Sequence, residues 1–402
     1  MEKPIIYHSV RPENNVSSTN GFQEFNSIDF VVDAPMRALK PNSIRVDFDL
    51  QVFTDVSAGT RVVAPQLLGY ENKIGGHAFF NNWRTEMPQS AGTIETITEY
   101  GRWVNTITTA SLSEESFYSS FYVGEGRGPL VDNGRQGTQA VAPRVLPRTV
   151  AAYNALGGAP APENGALADI TAMATDAHYS IKPLIAVNRS MGGLYSFQKN
   201  GPIRISVDAA RVGDALFGGD LNANAGAGYK LLNVRLRYIS VPDSPSQPKM
   251  LMNTVVGVKN TVNTTFANIS TKVPLKACNG VVVSFLEQSK EVSRLANSYA
   301  LEKFPKLSSI QYLFADATNK YITYRITSLE EIQARGIDAL SDSGISASTA
   351  NMRRAGNATL AGLSFQQYLD LSKQKFSVQL NSESTNFPAT NVYLFFVGLL
   401  EM

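Results

Sequence analysis

Three histidines, one cysteine and a pair of alternating aspartates are the side chains in this 402-residue chain whose types invite chemistry. Zinc sites draw four Cys, His or acidic ligands together, usually at short spacing. His8, His77 and His178 stand far apart, and Cys278 has no second cysteine to join it. His77, within Gly76-His77-Ala78-Phe79, reads as a hydrogen-bonded core residue. Cys278, within Lys276-Ala277-Cys278-Asn279-Gly280, reads as a small buried residue rather than a nucleophile. Asp47 and Asp49 share one face of a strand and resemble an acid/base pair. Arg45 lies on the same face, however, and the run is regularly amphipathic, so the expectation is a solvated or interface face. Gly124-Glu125-Gly126-Arg127-Gly128 has the glycines of a phosphate loop but opens no helix. Phe79, Phe80, Trp83, Tyr312, Phe314, Tyr321, Tyr324, Phe395 and Phe396 fall on expected strands and read as core, with a carbohydrate-stacking platform as the alternative. No catalytic, cofactor-binding or metal-ligating residue is assigned, no cofactor is expected, and the chain does not read as an enzyme.

The elements that would position any site are strands. Ile44, Val46, Phe48, Leu50 and Val52 alternate with Arg45, Asp47, Asp49 and Gln51, the period-two pattern of a strand with one buried face. Tyr229 to Val241 alternates likewise, and Pro242-Asp243-Ser244-Pro245 breaks the chain after it. Further strands are expected at Phe25–Val32, Thr93–Tyr100, Tyr179–Ile185 and Ile203–Val207. An apolar segment spans Ile74–Phe80, where Gly75 and Gly76 allow close backbone approach. A second pass of strands begins near Val273, with Val281-Val282-Val283 continuous enough for burial on both faces. Ile310–Phe314 and Lys320–Ile326 form a hairpin, and Phe376–Leu380 and Asn391–Leu400 close the series. Capping-box spacing at Ser111-Leu112-Ser113-Glu114, Ser328-Leu329-Glu330-Glu331 and Ser364-Phe365-Gln366-Gln367 predicts three short helices, the first running to about Tyr122. Gly124 to Asp176, rich in Gly, Ala and Pro, reads as a large surface loop with a short helix around Leu167–Thr175. Short strands with helix-bearing loops favour two consecutive all-β sandwiches over βαβ units, and no repeat at a propeller's period of about 40–45 residues is visible.

Bulk composition narrows the partners. A net charge of +2 without a long basic tract argues against nucleic-acid binding as the main activity. The 17% charged fraction suits a surface that meets neighbouring subunits. A single cysteine excludes an intrachain disulfide and fits a reducing compartment. Met1 to His8 lacks a signal-peptide core, and no run approaches the roughly 20 apolar residues of a membrane span. The sequons at Asn15, Asn188, Asn263, Asn268 and Asn357 read as chance matches, and the expectation is a soluble intracellular product.

In the order of its segments the chain resembles the double jelly-roll major capsid proteins of tailless icosahedral viruses, the lineage of tectiviruses, adenovirus hexon and virophages. Pro41-Asn42-Ser43-Ile44-Arg45-Val46 resembles the early strand of the first roll. Gly75–Phe80, Gly92–Ile97 and the Tyr100–Tyr122 helix region resemble its middle, Tyr229–Val241 its closing strand, and Asn391–Leu400 the counterpart in the second roll. The resemblance implies two consecutive eight-stranded jelly-roll β-sandwiches with short helices in inter-strand loops. An N-terminal arm would take 1–20, the first roll 21–243 with a loop insertion at about 124–178, and the second roll 244–402. It implies a structural role, in pseudo-hexagonal homotrimeric capsomers that tile an icosahedral shell. The implied location is the virion, after synthesis in the host cytoplasm. The implied partners are neighbouring capsomers, penton and minor capsid proteins, and an internal viral membrane reached by the arm. Tyr321-Ile322-Thr323-Tyr324 is a weakly charged face suited to subunit contacts. The chain departs from some members in lacking an amphipathic N-terminal helix. The competing reading is a two-domain β-sandwich module for carbohydrate binding or adhesion.

Overall fold

The computed structural model describes residues 4–14, 21–61, 70–71, 74–111, 125, 177–217, 223, 225–244, 248–291, 293–315, 321–348 and 359–402. Their strands form three sheets. The first contains β1 (Ile6–Val10), β3 (Arg37–Leu39), β4 (Arg45–Asp55), β5 (Thr60–Arg61), β8 (Ala177–Ile181), β10 (Tyr195–Ser196) and β12 (Gly228–Pro242). The second runs in spatial order β2 (Ser27–Val32), β11 (Ile203–Ala209), β6 (Phe80–Met87) and β7 (Gly92–Ile97). It continues without a gap into β13 (Leu251–Val262), β20 (Thr390–Glu401), β15 (Cys278–Glu287) and β18 (Ala361–Leu369), with β9 (Ser190–Gly192) beside β13. The third orders β14 (Phe266–Thr271), β19 (Lys375–Ser382), β16 (Leu307–Ala315) and β17 (Tyr321–Ile326). Strands β13 to β20 make eight. Among β1 to β12, eight have five residues or more, and the remaining four have two or three.

Two sandwiches follow from which faces are apolar. The first sheet buries Val46, Phe48 and Leu50 against Phe80, Trp83 and Ile205, with Phe48 and Phe80 edge-to-face at 5.2 Å. The third sheet packs Ile310, Phe376 and Val378 against Phe285 and Phe396, with Phe376 edge-to-face on Phe396 at 5.2 Å. The middle sheet therefore serves both sandwiches. Its continuity across them is a single parallel pairing, Val256 with Thr96.

Strand β20 shows why its sequence is apolar without interruption. Val392, Leu394 and Phe396 enter the core of the second sandwich, while Tyr393, Phe395 and Val397 join the larger core on the opposite face. Two helices cover that opposite side: α1 (Tyr100–Ser111) and α2 (Leu329–Asp342). Trp103 of α1 lies 5.1 Å from Phe395, and Ala339 and Leu340 of α2 join the same core. Helix α2 starts as the capping box requires, with the Ser328 hydroxyl accepting from the Glu331 N–H.

Several expectations are corrected. Ser111 is the last residue of α1, not the cap of a new helix, and its hydroxyl donates to the Ile107 carbonyl. The remainder of that expected helix (112–122) and the helix at Leu167–Thr175 lie outside the described residues. So does nearly all of the 124–176 loop, Glu125 being the exception. Ser364 lies in strand β18 rather than capping a helix. It pairs with Gly280 of β15, and its hydroxyl bonds the Asp342 carboxylate and accepts from the Gln366 N–H. Ladder pairing outweighs a local signal there. Phe79 ends a 3-10 turn (Gly75–Phe79) and is not on a strand; β6 begins one residue later. The second pass starts before Val273, because β13 and β14 precede it. Within the 1–20 segment, Ile6–Val10 is a strand in register with β12 from Ile6–Ser240 to Val10–Leu236.

Candidate functional site

The side chains singled out by type are structural pins. His77 is buried, its Nδ1 2.9 Å from the Tyr100 hydroxyl and its Nε2 3.8 Å from Glu125. The Glu125 carbonyl also accepts from the Gly76 N–H, and its carboxylate from the Lys182 N–H. A side chain on Gly76 would meet Ile181 and Phe48, so the close backbone approach expected there is real. His178 does meet Asp49, at 2.8 Å, but on the exposed outer face of the first sheet, where Asn233 donates to the other carboxylate oxygen. Of the solvated or interface face expected there, the structure excludes the solvated alternative for Asp47: it is buried and paired with Arg237 across the β4–β12 ladder. Strand β12 bulges between Leu232 and Arg235, and Asn233 takes a left-handed backbone there. His8 stacks on Tyr238 with ring centroids 4.5 Å apart and bonds the Ser240 hydroxyl. The Cys278 thiol faces the Gly280 and Val397 carbonyls, and burial pushes its pKa up to about 12. Thiolate chemistry is therefore suppressed. Among the described residues, no group of three or more His, Cys, Asp or Glu could hold a metal. No described helix is long and apolar enough to cross a membrane.

The densest polar construction lies where the two sandwiches meet. Helix α1 is buried along nearly its whole length and grips the 297–300 segment that follows β15. Arg102 donates to the Ala300 carbonyl at 2.9 Å and to the Ser298 carbonyl, with its guanidinium 4.1 Å from the Tyr393 ring. Asn105 donates to the Tyr299 carbonyl at 2.6 Å. The Tyr299 hydroxyl returns across the seam to the Ala78 carbonyl at 2.9 Å, and its ring fills the space beside Gly101.

A charged network closes the seam further along. Lys259 of β13 meets Glu99, just before α1, at 3.3 Å, and also Glu291. Burial opposes the Lys259 charge, but the two carboxylates outweigh it and raise the pKa. Glu291 also accepts from Asn391 and from the Tyr393 hydroxyl, and Arg211 stands 3.8 Å away. Arg211 pairs with Asp214 at 2.7 Å. Burial, set against that pairing and helped by Glu99 and Glu291, lifts Asp214 to about 6. Charges buried in this way must be paired to be tolerated.

One more carboxyl joins the sandwiches. Glu95 of β7 is 1% exposed. Its Oε1 accepts from the Val255 N–H of β13 at 3.1 Å, and its Oε2 from the Ala186 N–H at 2.7 Å. None of these seam residues was assigned a role from sequence. Apart from Arg211 and Asp214, three residues apart, their partners lie tens to hundreds of residues away, and a lone Glu on a strand reads locally as solvent-facing.

Exposed apolar side chains lie elsewhere. Ile5, Ile6 and Tyr7 sit on or beside β1, and Met36 is next to Arg37, whose guanidinium bonds the Pro4 carbonyl. Phe266 lies on β14 and Tyr368 on β18, both edge strands. The side chains of 321–323 lie outside the described residues, and Tyr324 is half-buried beneath Arg335.

No family model matches the sequence, and no curated protein matches it. Solved structures match along its length. VP54 of PBCV-1, in a crystal structure fitted into a cryo-EM reconstruction of the virophage Sputnik, is similar with a TM-score of 0.55 and 10% identity, covering 99% of this chain and 95% of that one. The Faustovirus major capsid protein is similar with a TM-score of 0.55 and 9% identity, covering 100% and 91%. A chain of the Sputnik virophage solved by cryo-EM gives 0.52 and 8% identity over 100% and 87%. Coverage this complete takes in both sandwiches and the helices between them, and the fold of this chain is accordingly the double jelly roll of viral major capsid proteins.

Proposed function

We propose that this chain is the major capsid protein of a tailless icosahedral virus, a structural subunit rather than an enzyme. The observation that carries the proposal is the fusion of two jelly rolls into one block through a shared nine-stranded sheet. Whole-length similarity to capsid folds supports it. Two similar rolls side by side give one chain two of the six sides of a hexagon. Three chains then complete a pseudo-hexagonal homotrimeric capsomer that tiles a shell. The first roll takes 21–243, including the insertion at about 124–178, and the second takes 244–402. Neighbouring capsomers, penton and minor capsid proteins are the partners of such a subunit, and the virion is its location. The 1–20 segment, with Ile5, Ile6 and Tyr7 exposed, is the candidate for reaching a neighbour or an internal membrane.

Burial of the aromatic residues speaks against the carbohydrate-binding alternative. Phe79, Phe80, Trp83, Tyr312, Phe395 and Phe396 are all inside, leaving none of them to stack on a sugar. Light scattering coupled to size exclusion, with negative-stain images of the main peak, tests the proposal. A stable species of three chain masses with a hexagonal outline is expected. A monomer persisting at high concentration overturns the capsomer reading.

A further inference from the structure

Glu95 occupies an unusual position for a carboxyl group. It sits at the place where the nine-stranded sheet passes from one roll to the other, next to the Val256–Thr96 pairing that joins β7 to β13. Its two oxygens hold backbone N–H groups from two other elements, Val255 in β13 and Ala186 in the 186–189 turn. The surroundings of the carboxyl follow element by element. Strand β6 presents the neutral Thr85 hydroxyl at 3.5 Å. Strand β13 presents the Val255 amide. The 186–189 turn presents the Ala186 amide and Arg189. The Arg189 guanidinium in turn lies 5.3 Å from the Trp103 ring of helix α1. Arg189 is the one charged group facing Glu95 among the described residues, and it forms no ion pair with it. Both terminal nitrogens of Arg189 are buried and lack a hydrogen-bond partner among the described residues.

A carboxyl so placed has two workable states. Neutral, it still offers lone pairs to both amides and buries no net charge. Ionised, it strengthens both hydrogen bonds but loses its hydration, with a single cation nearby that does not touch it. We propose that Glu95 is a proton-operated fastener between the two rolls, closing the seam when it binds a proton from bulk water and loosening it when the proton returns there. The fastener belongs to the chain itself and works whether or not the chain assembles.

The energetic direction agrees with the geometry. Burial, opposed by Arg189 and by the two amide hydrogen bonds, raises Glu95 from 4.5 to about 7. A pKa raised in the folded state contributes stability that is complete below the unfolded value, is lost as pH rises toward the folded value, and is flat above it. For an opening that exposes Glu95 to water, those two values make opening about 70-fold easier at pH 8 than at pH 5.

Hydrogen exchange on the full chain at pH 5 to 8, corrected for the intrinsic pH dependence of exchange, reads this directly. Peptides covering 94–97, 184–188 and 253–257 should lose protection together by tens of fold across that range, while peptides from β4 and β12 should not. Glu95→Gln should make the seam peptides insensitive to pH. Arg189→Met removes the cation that restrains the Glu95 pKa, so the loss should continue above pH 7. Seam protection that follows the β4 and β12 peptides in the wild-type chain overturns the proposal. So does a pH profile that Arg189→Met leaves unmoved, a result obtainable even where Glu95→Gln does not fold.

Discussion

Gly101 and Tyr299 give the sharpest test of how the rolls are joined. A β-carbon added at Gly101 would lie 2.5 Å from Cε1, 2.6 Å from Cζ and 3.1 Å from Cδ1 of Tyr299. The ring cannot swing away freely, because its hydroxyl is bonded to the Ala78 carbonyl and its own carbonyl is held by Asn105. Overpacking of a rigid core costs about 1–3 kcal/mol. Alanine in place of glycine within a helix returns up to about 1 kcal/mol. Gly101→Ala should therefore destabilise the chain by about 1–2 kcal/mol, the balance of those two effects. Tyr299→Leu removes the obstacle, at about 3 kcal/mol for the lost ring and the orphaned Ala78 carbonyl. In that background Gly101→Ala should reverse sign and stabilise by up to about 1 kcal/mol. Urea unfolding of the four proteins of this double-mutant cycle, followed by tryptophan fluorescence, measures both numbers. If Gly101→Ala has the same sign with Tyr299 and with Leu at that position, the contact does not govern the seam.

Lys259→Met leaves Glu99 and Glu291 facing each other without their shared cation, and should cost about 1–3 kcal/mol in urea unfolding, because Glu291 is buried while Lys259 itself is exposed; a loss under 1 kcal/mol, the range of an exposed pair, would show that the network is solvated. Cys278, buried with its thiol pKa raised to about 12, should be unreactive toward a thiol-specific disulfide reagent at pH 8 until the chain is denatured; prompt labelling of native protein would contradict this burial. Gln366, exposed at φ 56° within β18, holds a left-handed backbone that disfavours side chains, so Gln366→Gly should raise stability by about 0.5–1 kcal/mol; a lower melting temperature would place the strain elsewhere.

Legibility divided along physical lines. Strands β4, β12 and β20 could be read because burial on one face, or on both, writes itself into neighbouring residues. Helix α2 could be read because Ser328 and Glu331 form a local hydrogen bond. Helix α1 announced itself far less clearly. Its polar stripe of Arg102, Asn105, Thr106 and Thr109 faces protein rather than solvent, and Val104, Thr106, Ile107, Thr108 and Thr109 are β-branched residues that suggest a strand. Strand β13 was missed because Asn253, Thr254, Lys259 and Asn260 break the alternation, yet Asn253 and Thr254 are buried against neighbours distant in sequence. The core placement of His77 and Cys278 was legible from their apolar neighbours. The seam was not, since the role of Glu95 depends on Val255, and that of Gly101 on Tyr299.

The same seam explains why a pair of sandwiches behaves as one body. Alternate residues of β20 and β15 belong to different cores: Tyr393, Phe395 and Val282 to one, and Leu394, Phe396 and Val281 to the other. Separating the rolls would expose one full face of both strands, along with Trp103, Glu95 and Glu291. Strands shared in this way cannot finish one core before the other is covered, so rigidity between the rolls comes from burial rather than from the Pro242–Met250 connection. Under the proposed capsid role, that would fix the angle between the two rolls within a single chain and leave curvature to contacts between chains.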